Sequence, residues 1–222
     1  MWNLQSNNES CFDCFFLFDL LWRFWCVWYN IVMEKTKIIT VSGESGSGKS
    51  TFSFYLAQKL YANVISVDKI ISKLYENEKF CEKLVCAFGN EICENGKVIK
   101  QKVGKLVFEN LEKQNVLTKI STPFIEKMIK QELKKQKLSI IDYKFCPMLS
   151  FFKHSLLNIL IVAKDDEKRI SLVLKRDNLS KEYLLARDKN RVDYEKYSFD
   201  EVVVHNYKDL EGKAEEIACK LK

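Results

Sequence analysis

Eight consecutive residues, Gly43-Glu44-Ser45-Gly46-Ser47-Gly48-Lys49-Ser50, have the types and spacing to hold a polyphosphate. They fit G-x-x-x-x-G-K-[ST] without deviation, and Thr51 extends the run. A loop that wraps phosphates must turn sharply and aim backbone N–H groups inward, which side chains at the glycine positions would block. Lys49 is placed to reach the β- and γ-phosphates, and Ser50 to offer a hydroxyl oxygen to Mg2+. A helix beginning near Lys49 adds its positive N-terminal end. The chain is expected to bind a nucleoside triphosphate through residues 43–51.

Two carboxylates and a small set of arginines could complete the chemistry. Asp68 follows Asn63-Val-Ile-Ser-Val67, at the edge where open α/β sheets place ligands, so it could accept the proton of an attacking hydroxyl. Its competing role is to cap a helix starting at Lys69. Asp142 ends the apolar run Leu138-Ser-Ile-Ile141 and could contact Mg2+ through water; the alternative is a capping or turn residue. Lys outnumbers Arg 31 to 5, and apart from Arg23 the arginines are Arg169, Arg176, Arg187 and Arg191. Arginine is used where its planar fork matters. The segment 175–196 therefore reads as a lid whose Arg176 and Arg187 close on the phosphates, or else as a solvated basic face.

These residues need a scaffold that brings distant segments to one edge. Thr36–Val41 reads as a buried strand entering the glycine loop, and residues 49–61 as a helix leaving it. Residues 63–67, 138–141, 159–162 and 201–205 read as further strands. The stretch from about 70 to 137 is spaced as helix almost throughout, with helices at 167–176 and 210–221 completing the pattern. Strands alternating with helices predict an α/β fold, a parallel sheet flanked by helices with right-handed crossovers.

The composition is that of a globular chain: 222 residues, 47% hydrophobic, 30% charged, with only 7 Gly and 2 Pro. The net charge of +6 suits anionic small molecules; without an aromatic stacking motif or dense basic stripe, nucleic acid is not expected as a partner. Residues 1–32 differ from the rest. They hold all four Trp, lack Lys and balance at −2, which leaves +8 for the other 190 residues. Asp13, Asp19 and Arg23 interrupt their apolar run, so a stable membrane insertion is not expected, and no signal-peptide pattern is present. The reading is an extension outside the native protein, with a membrane-surface or partner-docking segment as the alternative. Met33 would then begin a domain of residues 33–222. The eight Cys, without paired His, read as free thiols of a reducing cytoplasm.

From Lys37 onward the chain resembles the dephospho-coenzyme A kinase family. The resemblance runs through residues 41–51, Val64-Ile-Ser-Val-Asp-Lys-Ile70, Phe88-Gly-Asn-Glu-Ile92, Gly104-Lys-Leu-Val-Phe108, Thr122-Pro123, Lys175-Arg-Asp-Asn-Leu-Ser180, Ala186-Arg187 and Val203-Val-His-Asn206. It implies a P-loop kinase fold and transfer of the γ-phosphoryl of ATP to the ribose 3′-hydroxyl of dephospho-coenzyme A, with Mg2+. Asp68 falls on the family's catalytic carboxylate, and residues 70–137 on the region that holds the acceptor. The chain departs from the family pattern where Glu44 replaces a second Gly and Ser66 the first Asp of a D-x-D pair. Ile99-Lys100 replaces Asp-Arg, Thr122 a His, and Lys144-Phe-Cys-Pro-Met148 stands for Pro-Leu-Leu-Phe-Glu. Arg191 falls where Gln is usual. Because these changes cluster on the acceptor side, Glu44 beside the phosphates apart, a kinase for another nucleotide-like or nucleoside acceptor, or a low-turnover ATP-binding module, remains the alternative.

Overall fold

The computed structural model describes residues 36–108, 110–177, 184 and 192–221. The extension at 1–32 and most of the expected lid, including Arg187 and Arg191, lie outside the described residues.

Five strands form one parallel sheet. They are β1 (Lys37–Ser42), β2 (Asn63–Ser66), β5 (Leu138–Asp142), β6 (Leu157–Ala163) and β7 (Glu201–His205), in the order β2-β5-β1-β6-β7. The apolar runs of β1, β5 and β6 suit strands covered on both faces, while the edge strands β2 and β7 keep Val64, Val202 and Val204 exposed. In β1, Ile38 joins one apolar cluster while Ile39 and Val41 join the other; in β5, Ile141 and Ile140 divide the same way. Each such fully buried side chain contributes roughly 1.5–3 kcal/mol. On one face lie α1 (Lys49–Leu60) and α7 (Leu210–Lys220), contributing Phe52, Leu56, Ala214 and Ile217 to the core.

The other face carries α2 (Val67–Leu74), α3 (Glu78–Phe88), α4 (Lys100–Phe108) and α5 (Leu111–Leu133). This layer corrects the expectation of near-continuous helix from 70 to 137. A 3-10 turn at Asn90–Ile92 leads into an antiparallel hairpin of β3 (Cys93–Glu94) and β4 (Lys97–Val98). Its turn is Asn95-Gly96, with φ of 49° and 75° at the two residues. That dipeptide is the favoured chemistry of a two-residue hairpin turn, a signal the helical spacing on either side had masked. The last helix before the lid region is α6 (Asp166–Asp177).

Register explains how the site is assembled. Val41 and Ser66 both sit opposite Asp142, so β1, β2 and β5 end at one level. The segments leaving them there carry the glycine loop, Asp68, and Tyr143-Lys144, residues roughly 25 to 100 positions apart in sequence. A helix assigned to start at Lys69 in fact starts at Val67, with Ser66 in the cap position. Asp68 is thus within the first turn of α2 and is not its N-cap.

Candidate active site

The glycine loop between β1 and α1 can exist only with glycine at its corners. Gly43 has φ 146°, and a Cβ there would run into the carbonyl oxygen of Ile161 on β6. Gly48 caps α1 at φ 86°, in the left-handed region, where a Cβ would lie 2.9 Å from Leu210 and 3.2 Å from the His205 ring. Neither a side-chain cap nor an acidic residue in the first turn of α1 occupies its N–H groups, so the helix presents its positive end to the loop.

Four successive loop carbonyls are engaged by side chains, and the Ser47 N–H also closes back on Glu44 O at 3.1 Å. Lys49 Nζ donates to Glu44 O at 3.1 Å. Arg169, only 2% exposed on α6, donates from Nη1 to Ser45 O at 2.9 Å. The Tyr207 hydroxyl donates to Gly46 O at 2.8 Å. His205 Nε2 lies 2.6 Å from Ser47 O. Because His205 Nδ1 accepts the Tyr207 backbone N–H at 2.9 Å, the ring proton sits on Nε2 and His205 donates to the loop. Sequence reading missed His205 and Tyr207 as loop-holding groups. The scarcity of arginine was the signal for Arg169, since its fork is spent here and on Asp166, 2.6 Å from Nε.

Lys49 and Asp142 form the buried centre. Burial lowers the Lys49 pKa, while the charges of Asp142 and Asp68 oppose that shift. Asp142 is 5% exposed, and burial raises its carboxyl above the ordinary carboxylate range against the pull of Lys49 and a hydrogen bond from Ser50. That bond, Ser50 Oγ to Asp142 Oδ2, is 2.6 Å long. It places a hydroxyl and a carboxylate oxygen side by side, a donor pair suited to a hard cation that keeps most of its own waters. Among the described residues no cluster of three His, Cys, Asp or Glu could hold a metal by itself.

Asp68 is exposed at the rim, and no hydrogen bond or ion pair holds its carboxylate among the described residues. Its charge acts on Lys49, Asp142 and Tyr143, which places it with the centre. One turn on, Ser72 Oγ donates to Asp68 O at 3.0 Å and receives Lys100 Nζ at 3.1 Å, so an ammonium reaches the same turn. Arg176 is brought to the periphery: its fork grips Asp177, at 2.6 Å from Nε and 2.9 Å from Nη2. That hydrogen bond first, and the charges of Asp177 and Asp68 after it, raise the Arg176 pKa further.

A cleft of about 400 Å3 lies at the other end of the loop, lined by Thr51, Tyr55 and residues 207–212. Neither Asp68 nor Asp142 is among its lining residues. Of the residues expected at the site, Gly43, Glu44, Ser45, Gly46, Ser47, Gly48, Lys49, Ser50, Thr51, Asp68 and Asp142 are brought together around this loop. The cleft residues Tyr55 and Tyr207 had no motif to mark them.

The five described cysteines, Cys81, Cys86, Cys93, Cys146 and Cys219, are free thiols, and no described helix is long and apolar enough to cross a membrane. Residues 37–211 match the family model described as dephospho-CoA kinase. A dephospho-CoA kinase of Fusobacterium nucleatum is 33% identical over 187 residues, spanning 78% of this chain and 91% of that protein. One from Carboxydothermus hydrogenoformans is 30% identical over 187 residues, spanning 81% and 90%. A crystal structure from Thermus thermophilus superposes with a TM-score of 0.69 at 23% identity, covering 84% of this chain and 98% of that one. The dephospho-CoA kinase structure from Campylobacter jejuni gives 0.51 at 23% identity, covering 85% and 98%, and both likenesses show the P-loop kinase fold. With most of its length matched by the family model and relatives at this identity, the chain belongs to the dephospho-CoA kinase family.

Proposed function

We propose that this chain transfers the γ-phosphoryl group of ATP to the ribose 3′-hydroxyl of dephospho-coenzyme A, forming coenzyme A and ADP. The observation that carries the reading is the convergence of Lys49, Ser50, Asp142 and Asp68 on one sheet edge, beside a loop whose carbonyls from Glu44 to Ser47 are held by side chains. The loop amides and Lys49 would hold the triphosphate, and the cleft at Thr51, Tyr55 and 207–212 its adenosine. Ser50 and Asp142 are the oxygens to hold Mg2+, Asp142 through a water; when bound, the ion offsets charge on the phosphates.

The acceptor oxygen attacks the γ-phosphorus as the bond to the β-phosphate oxygen breaks and ADP departs. Asp68 takes the hydroxyl proton, which its carboxylate, exposed and without a hydrogen-bond partner among the described residues, is placed to do. The layer α2–α5 supports the acceptor side, and Lys100, beside Ser72, is placed to meet an anionic group of the acceptor. Arg176 and the lid close over the phosphates, and the work is done in the cytoplasm, where free thiols persist. The test is purified chain with Mg-ATP and dephospho-coenzyme A, followed by mass spectrometry of the acceptor. A gain of one phosphate on the ribose supports the assignment; ATP bound and no such product overturns it.

A further inference from the structure

Glu44 occupies the second position of the phosphate loop, where an acid would repel the triphosphate. The structure gives it a counter-charge from the far side of the sheet edge. Lys144, two residues past Asp142, places Nζ 2.7 Å from Glu44 Oε2, with the two side chains only 14% and 15% exposed. The contact is one of charge and not of hydrogen-bond geometry, since both Glu44 carboxylate oxygens lack a hydrogen-bond partner among the described residues. Glu44 therefore holds two ammoniums, Lys49 through its carbonyl at 3.1 Å and Lys144 through its carboxylate. The two cations are close enough to repel: after burial, the charge of Lys144 also lowers Lys49. The Lys144 backbone is fixed as well, its carbonyl accepting the Tyr194 hydroxyl at 3.0 Å.

This cluster lies at the end of the loop opposite the cleft of Thr51 and Tyr55, on the side of Asp68 and Asp142. With a nucleoside in the cleft, that end receives the terminal phosphate. Three carboxylates, Glu44, Asp68 and Asp142, border the place, and with a dianionic phosphoryl group they outweigh Lys49 and a Mg2+ together, which leaves charge for a further cation to offset. An ammonium held by a poorly aligned monoanion will move to a dianionic phosphate within reach, since charge-assisted contacts strengthen with the acceptor's charge.

We propose that Lys144 is a second phosphate-binding ammonium of this site, held by Glu44 until a triphosphate arrives and then bound to its terminal phosphoryl group. The proposal rests on the assignment of ATP as phosphoryl donor. Lys144 forms no covalent bond; it offsets charge on the transferring oxygens while Glu44 is released toward solvent. Lys49 would then be the shared contact of ADP and ATP, and Lys144 the contact that tells them apart.

Calorimetric titration of the full chain with Mg-ADP and with the Mg complex of the β,γ-imido analogue of ATP tests this. Lys144→Met should reduce the preference for the analogue over ADP at least tenfold, and Lys144→Arg should keep most of it. Glu44→Gln should raise that preference severalfold by freeing the ammonium. The double variant Glu44→Gln/Lys144→Met should behave as Lys144→Met. If Lys144 only neutralises Glu44, the double variant returns to the wild-type preference, and that result overturns the proposal. So does an unchanged preference in Lys144→Met or, should that variant not fold, in Glu44→Gln. No acceptor enters these titrations. A wild-type chain that binds the analogue but leaves dephospho-coenzyme A unmodified would sink the acceptor assignment and leave the Lys144 result standing.

Discussion

Ser50 and Asp142 stand 92 residues apart in sequence and share a 2.6 Å hydrogen bond, the Ser50 hydroxyl donating to Asp142 Oδ2. The bond fixes two oxygens at the mouth of the loop before any cation arrives. Ser50→Ala removes one of them and leaves the other without its orienting partner. Turnover measured against Mg2+ at fixed ATP should then need roughly 10-fold more Mg2+ for half its maximum, the scale seen when a metal site loses an oriented group. An unchanged Mg2+ requirement would remove Ser50 from the metal site.

Asp68 is exposed and its carboxylate has no partner among the described residues, so its replacement should leave the fold untouched. Asp68→Asn should lower kcat by roughly 10²- to 10⁴-fold, the usual worth of a general base. Thermal stability and affinity for ATP should stay close to wild type. Single-turnover phosphorylation with saturating acceptor measures the step directly, and a kcat within a few fold of wild type would refute the role.

Tyr207→Phe deletes one hydroxyl and nothing else from the tie on the Gly46 carbonyl. A single neutral hydrogen bond is worth about 0.5–1.5 kcal/mol, so the KM for ATP should rise roughly 2- to 12-fold. Because the loop is positioned by this contact and is not chemically changed by it, kcat should move less than KM. A larger fall in kcat than rise in KM would mean that the tyrosine does more than hold the loop.

Thiol labelling checks the core around the site. Cys146 is wholly buried near Val41 and Ile141, and burial pushes its thiol up to about 12. A raised thiol pKa means less thiolate at any given pH below it, so at pH 8 Cys146 is held in its unreactive form. Peptide mapping after brief alkylation of native protein should find Cys86 and Cys219 modified and Cys146 untouched. In denaturant Cys146 should react like the others. Early native labelling of Cys146 would show that the segment after β5 opens readily.

The parts of the site carried by local spacing were legible in the sequence. A glycine loop between a β-branched strand and an amphipathic run declares itself within 20 residues, and Asp68 and Asp142 each follow a short run read as a strand, the second of them buried. The hairpin at Asn95-Gly96 was legible too, but two-residue strands have no periodicity to set against the helices beside them. What could not be read was pairing across the fold. Glu44 and Lys144 stand out in the sequence as two separate departures from the family pattern; in space they are one ion pair. His205 and Tyr207 are ordinary residue types at the end of an edge strand, and only the superposition of β6, β7 and the loop gives them work.

The ties on the loop carbonyls also set a timetable for synthesis. The motif leaves the ribosome complete by residue 51, but β1 finds its partners only in β5 and β6, about 100 residues later. The donors that shape the loop come later still, from Arg169, His205 and Tyr207. Pairing strands so far apart in sequence is slow, because the intervening chain must be closed first. A nascent chain stopped anywhere between residues 51 and 207 thus carries the whole nucleotide-binding signature without all the side chains that hold its loop. The loop takes its final shape with the last strand, and full affinity for nucleotide belongs to the finished chain.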